Sequence, residues 1–426
     1  MNFWKACVLV VLVGLLGGCG SDLQSPDNEK VVQGSVVVDF PADLLRQKLM
    51  EAETPGIDAN TTIFGYKAYR IVYQTTDPMG RELNVSGLMV VPTDYGVREA
   101  DRLKIDLMYQ KGLSIVSDSH GTIFANSEAP TVVAQTTEAP AGSPIILTAL
   151  AGFVTLQADY VGFGESAGHI HPYLLEDPSA KVTIDFIRAA ERFARANDIP
   201  LNGQIYLTGY SEGGYVALSA LKAMEADGEM VMTAAPMAGP YLLNAMAEGV
   251  LSRESLPIPS FMADIAYAYT HRYGLPVTAL VREPYASDLP TLLDGSMTRE
   301  EIDAQLPHEV RELFVDEAIT QVLDRNESYW FNQALYGNSP AFWGPKTPVR
   351  LVQCLGDDVI PYAMSTMTGA LMQERNATDV SVLPVEVIVT GDVNTSVRWG
   401  HAACAPYAYS VTAGIFRAVR AATIGY

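Results

Sequence analysis

Positive charge is scarce in this chain. Lys and Arg number 28 against 49 Asp and Glu, a formal net charge of −21. That balance argues against nucleic acid and an anionic membrane surface as electrostatic partners, because both favour a cationic face. The N-terminal apolar run, Ala6 to Leu16 behind Lys5, falls short of the roughly 20 residues a membrane-crossing helix needs, and it has the layout of an export leader. Internal repeats and low-complexity tracts are missing, which excludes solenoid and array architectures. Histidine is also rare, with 6 in the chain. What is present in quantity is apolar surface. Hydrophobic residues make up 48% of 426, enough for one large domain with an insertion and too many for a disordered chain.

Strand-like and helix-like runs alternate along most of the length. "FGYKAYRIVYQT" and "ELNVSGLMVVPT" flank the turn signal "TDPMGR" and predict a hairpin. "LSIVSDS", "FVTLQADY", "GQIYLTGYS", "MTAAPMAGP", "VRLVQCLGDD" and "VEVIVTGD" read as further strands. "SAKVTIDFIRAAERFARAN", "AMSTMTGALMQERN" and "SVTAGIFRAVRAAT" carry apolar residues at helical spacing. The alternation predicts an α/β fold, a mainly parallel sheet with helices on both faces. Between Pro240 and Pro345 the rhythm breaks into prolines, aromatics and short helical pieces, which predicts an inserted helical cap. The expected divisions are a leader over 1–18, a tether over 19–45, a core over 46–239 and 346–426, and the cap over 240–345.

"IYLTGYSEGGYVALSALKAM" passes from a buried strand to a helix within a few residues. Gly209, Gly213 and Gly214 are the small residues such a crowded turn needs. Ser211 stands at its apex, in the G-x-S-x-G arrangement that presents a nucleophile between strand and helix. A serine hydroxyl attacks only when a base takes its proton. In this arrangement the acid and then the histidine follow the serine along the chain. Three histidines follow Ser211, and His271 and His308 fall within the cap. His401, in the loop "NTSVRWGHAACAP" after the last strand-like run, is the expected base. The acid should follow the preceding strand, where "LGDDVIPY" offers Asp357 and Asp358; counting back from Pro361 favours Asp357, and Asp392 ranks third. The developing oxyanion needs backbone donors. The N–H of Glu212 is one, and "HGT" after "LSIVSDS" supplies the other through Gly121 or Thr122. Cys354 lies three residues before Asp357 and Cys404 three after His401, so a disulfide between them would tie the two loops together. No metal or organic cofactor is required for this chemistry.

Two other stretches carry less. "DYVGFGES" lacks the lysine of a phosphate loop and reads as a tight turn at the carboxyl edge of the sheet. His169 and His171 of "HIHPYL" have no third ligand nearby, so packing is favoured over a metal pair. The methionines and aromatics of "MAGPYLLNAM" and "IPSFMADIAYAY" read first as core and second as a substrate lining.

Taken in order, "HGT", "ADYVGFGES…HPYL", "LTGYSEGG", "GPY", "WGPKTPVRLV" and "GDDVIPYAMS" resemble the bacterial relatives of the fungal secretory-lipase family, within the α/β-hydrolases. The resemblance runs from about Phe64 onward. It implies an α/β-hydrolase fold with a helical cap, a lipase or carboxylesterase acting on an ester or lipid, and Ser211, Asp357 and His401 as its triad. A peptidase or amidase on the same triad, and an idle lipid-binding surface protein, are the alternatives. Leu16-Gly17-Gly18-Cys19 resembles a bacterial lipobox, which implies cleavage before Cys19 and a lipid anchor there. Gly20, in place of an aspartate, implies the outer membrane. Cys7 would leave with the leader, so Cys354 and Cys404 would remain in an oxidising compartment.

Overall fold

The structure, a computed structural model, describes residues 33–52, 57–137 and 142–426, and all of these belong to one compact unit. The leader, Cys19 and the first part of the tether lie outside the described residues. The tether is shorter than expected. Gln33–Phe40 is strand β1, paired antiparallel to β2 (Gly65–Thr76), and Ala42–Glu51 is helix α1. The alternation of Val36, Val38 and Phe40 in "SVVVDF" puts Val38 and Phe40 into the core, a short signal that the polar composition upstream concealed.

The hairpin forms as expected. β2 and β3 (Glu82–Thr93) pair antiparallel over their whole length. Asp77 closes the turn, its Oδ1 accepting the N–H groups of Met79 and Arg81 at 2.9 Å. Helix α2 (Glu99–Lys111) leads to β4 (Leu113–Ser119), and α3 (Pro130–Thr137) precedes β5 (Val154–Ala158). Helix α4 (Glu176–Ala196), β6 (Leu201–Tyr210), α5 (Glu212–Ala226) and β7 (Thr233–Met237) follow. Seven helices then run without a strand: α6 (Leu243–Leu251), α7 (Pro259–Arg272), α8 (Tyr285–Leu292), α9 (Arg299–Asp303), α10 (Val310–Leu313), α11 (Asp316–Leu323) and α12 (Trp330–Gly337). β8 (Val349–Gln353), α13 (Tyr362–Glu374), β9 (Val380–Pro384), α14 (Val385–Thr390) and α15 (His401–Ile424) complete the chain.

The sheet order among the described residues is β1-β2-β3-β5-β4-β6-β7-β8-β9, parallel from β5 to β9 and antiparallel before it. Strand periodicity sorts side chains to the two faces. Ile205 and Leu207 join the core cluster that contains α4 and α5, whereas Tyr206 joins the one built on Phe416 of α15. Both faces are covered, as a buried parallel sheet requires.

One expected strand is wrong. "VEVIVT" is not the last strand but helix α14, and β9 is the preceding "VSVLP", in register with β8 from Val349↔Val380 to Gln353↔Pro384. Proline has no N–H to continue a ladder, so the strand ends at Pro384. The single helical turn then buries Glu386, which is 0% exposed. Its carboxylate accepts the N–H groups of Leu355 at 2.8 Å and of Gly356 and Trp399 at 3.1 Å.

Cys354 and Cys404 form a disulfide that closes a separation of 50 residues. It joins the loop after β8 to the first turn of α15. The protein unfolded without reductant should show no free thiol at these two positions. Reduction, or Cys354→Ser with Cys404→Ser, should lower thermal stability by up to roughly 4 kcal/mol, the chain-entropy value for such a loop. Thiol titration and a melting curve read both.

Candidate active site

The strand–helix turn at Ser211 is as tight as its glycines imply. A Cβ on Gly213 would overlap the carbonyl of Ser119 at the end of β4, so α5 starts directly against the sheet. Ser211 takes φ 61° and ψ −122°, a left-handed conformation that costs a non-glycine residue about 1–3 kcal/mol. Its neighbours hold it there. The Ser211 N–H donates to the Met237 carbonyl at 2.9 Å, and its own carbonyl accepts from Gly214 at 2.9 Å and Tyr215 at 3.3 Å. Glu212, next in the chain, opens α5, and a first-turn N–H has no acceptor within its helix.

The "HGT" loop lies against this turn. The Cα of Gly121 faces the elbow closely enough that a Cβ there would stand 3.2 Å from the Tyr210 carbonyl and 3.6 Å from Ser211 Cβ. Thr122 Oγ1 shares a hydrogen bond of 2.8 Å with the Tyr173 hydroxyl. Gly121 and Glu212 therefore flank Ser211 on two sides.

Asp357 and Asp358 divide the work on His401. Asp357 Oδ2 accepts from His401 Nδ1 at 2.8 Å. Its Oδ1 accepts the N–H groups of Val359 at 3.0 Å and Ile360 at 2.8 Å, and Gln353 Nε2 donates to Oδ2 at 3.1 Å. The side chain of Asp357 has no exposed surface. Asp358 turns instead to the backbone, accepting the His401 N–H at 2.8 Å. That bond holds the Asp358 carboxyl below the usual carboxylate range. His401 differs from expectation in its setting. It is the first residue of α15 and not a loop residue, because the Asp358 carboxylate satisfies an N–H at the positive end of the helix.

Three supporting groups were not expected from sequence. Tyr210, beside Ser211, donates its hydroxyl to the His401 carbonyl at 2.7 Å, and the two rings lie 4.9 Å apart. Gln353 steers Asp357, with its own Oε1 fixed by Ser365 at 2.8 Å. Glu386 joins the loop that carries the aspartates to the segment before His401. Among the described residues the hydrogen bonds of His401 are to Asp357, Asp358 and Tyr210, and Ser211 Oγ is not a partner. Such bonds between nucleophile and base commonly tighten only with substrate in place.

Ser211 and His401 open onto adjoining space. An apolar cavity of about 90 Å³ is lined by Ser211, Glu212, Met246, Val250, Met262 and Ile265. A wider groove of about 400 Å³ is lined by His401, Gly400 and Ala402. Ile258, Phe261, Asp358 and Val359 line both. Met246, Phe261 and Met262 thus line the site, while Tyr241 and Tyr269 from the same stretches are fully buried. His171 is taken up by the Val161 carbonyl and the Glu212 carboxylate, each at 2.9 Å. His169 Nδ1 lies 3.0 Å from the Ser166 carbonyl. "DYVGFGES" is the turn expected after β5, with Gly162 and Gly164 at positive φ.

No family model matches the chain, and no curated protein matches it. Solved structures do. A protein of Legionella pneumophila assigned as a hydrolase superposes with a TM-score of 0.78 at 22% identity, over 92% of this chain and 98% of its own. The rice cell wall degrading esterase LipA of Xanthomonas oryzae gives 0.72 at 20% identity, over 92% and 97%. Candida antarctica lipase A gives 0.57 at 15% identity, over 87% of this chain and 77% of that one. The chain has the α/β-hydrolase fold.

The division of labour between the aspartates makes a ranking. Asp357→Asn should reduce turnover of an activated ester by about 10⁴-fold, because the amide no longer holds the imidazole in its working tautomer. Asp358→Asn should cost roughly tenfold, since it weakens one backbone bond. Steady-state rates on the two variants check the order.

Proposed function

We propose that this protein is a serine hydrolase of carboxylic esters, a lipase or carboxylesterase. The observation that carries the reading is a strained serine at a strand–helix elbow beside the Asp357–His401 pair, at one end of the sheet and under an apolar lining. The likeness of the fold to an esterase and a lipase supports it.

Each residue then has a role. His401 takes the Ser211 proton as Ser211 Oγ attacks the ester carbonyl carbon. The carbonyl π electrons move to oxygen, and the Glu212 N–H together with an N–H of the Gly121–Thr122 segment receives that charge. One such donor is worth about 3–4 kcal/mol in the transition state. Collapse breaks the bond to the leaving alcohol, which takes the proton back from His401. Water then attacks the acyl-enzyme by the same route and releases the acid. Asp357 keeps Nδ1 protonated and Nε2 free to act. Apolar side chains from α6 and α7 suit the acyl chain of an ester and offer little to the polar flanks of a peptide.

Ser211→Ala should abolish hydrolysis of p-nitrophenyl esters, by about 10⁴-fold or more, without lowering the melting temperature. Undiminished turnover would remove Ser211 from the mechanism.

We also propose that Cys19 is acylated and anchors the protein at the outer membrane. The lipobox-like Leu16-Gly17-Gly18-Cys19 supports this. Mass spectrometry of membrane-extracted protein should find a lipidated Cys19 at the mature N-terminus. An unmodified N-terminus in the soluble fraction would contradict it.

A further inference from the structure

We infer that His171 is a positioning residue for the oxyanion donor: as a buried imidazolium paired with the Glu212 carboxylate, it fixes the peptide whose N–H faces the reacting carbonyl. The inference rests on the ester-hydrolase reading and adds to it a residue outside the triad.

The hydrogen-bond geometry suits a charged pair. His171 Nδ1 lies 2.9 Å from the Val161 carbonyl, which can only accept. His171 Nε2 lies 2.9 Å from Glu212 Oε1, and an ionised carboxylate can only accept. With Glu212 as a carboxylate both ring nitrogens donate, and the ring is then an imidazolium. The direction of its pKa agrees. Burial favours the neutral ring, but the adjacent Glu212 carboxylate outweighs it and raises the pKa above the ordinary histidine value. Asp264 on α7 is the other carboxyl in the field of this ring, and burial pushes it up to about 7. Glu212 is accordingly the counter-ion.

The pair is sealed. Side-chain exposure is 11% for His171 and 2% for Glu212. Tyr160, Phe163 and Tyr173 surround the imidazole, with ring centres 5.1–5.9 Å away. A charge placed there must be paired. Glu212 joins two jobs in one residue: its carboxylate is locked to His171, and its backbone N–H sits next to the strained Ser211. A carboxylate left without its cation would seek solvent and carry the first turn of α5 with it. The oxyanion donor would move, while the apolar acyl lining on α6 and α7 would not.

The test is steady-state kinetics of a p-nitrophenyl ester together with inhibition by a trifluoromethyl ketone, whose serine adduct carries an oxyanion. Wild type, His171→Ala, His171→Gln and the double variant His171→Ala/Glu212→Gln are compared. His171→Ala should lower kcat by 10- to 100-fold with KM changed less than threefold, and should raise the inhibition constant by the same factor as kcat falls. The double variant should recover part of that loss, because a neutral amide needs no cation. His171→Gln keeps a donor toward Glu212 and guards against misfolding of the alanine variant. Its kcat and inhibition constant should also move together. A wild-type kcat in either single variant, or a loss of kcat with the inhibition constant unmoved, overturns the inference and leaves the ester-hydrolase reading standing. Failure of the wild-type protein to hydrolyse p-nitrophenyl esters overturns both.

Discussion

The close approach of β4 and β6 to the start of α5 is the constraint on which the site depends. Only glycine at 213 lets the helix begin against the Ser119 carbonyl. That contact forces the chain to turn within one residue, and Ser211 absorbs the turn in a left-handed conformation. The strain persists because three backbone hydrogen bonds over-determine it, one donated by Ser211 to the Met237 carbonyl and two accepted from Gly214 and Tyr215. Glu212 as the first residue of α5 is a consequence of the same geometry.

The second requirement is that two segments far apart in sequence meet at His401. Residues 355–358 and 399–404 are joined at several points. Asp357 holds the His401 ring, Asp358 holds its N–H, Glu386 bonds both segments, and the Cys354–Cys404 bridge closes them covalently. Tyr210 adds a tie from the elbow itself to the His401 carbonyl. Asp357 and Glu386 are buried carboxylates, so loosening either from its donors leaves an unsatisfied group at a cost of about 1–3 kcal/mol. His401 stands at the head of a 24-residue helix.

Local chemistry made much of this legible from sequence. "TDPMGR" specifies its hairpin, the glycines around Ser211 specify the elbow, and the spacing to Pro361 picks Asp357 over Asp358. The misreadings have physical causes. "VEVIVT" is rich in β-branched residues and reads as strand, but Pro384 ends the ladder and burial of Glu386 rewards a helical turn. "SVVVDF" hides a sheet strand behind the polar tether sequence. Tyr210, Gln353 and Glu386 act through partners up to 191 residues away, and no local pattern marks them. His171 was visible as an odd histidine, but only the fold sets Glu212 against it.

The proposed mechanism makes Ser211 the activated nucleophile. Reaction of the intact protein with diethyl p-nitrophenyl phosphate, followed by tandem mass spectrometry, tests it most directly. A single diethylphosphoryl adduct on Ser211, released with one equivalent of p-nitrophenol, is the result expected. An adduct at another side chain, or none under conditions in which the protein hydrolyses esters, would contradict the account.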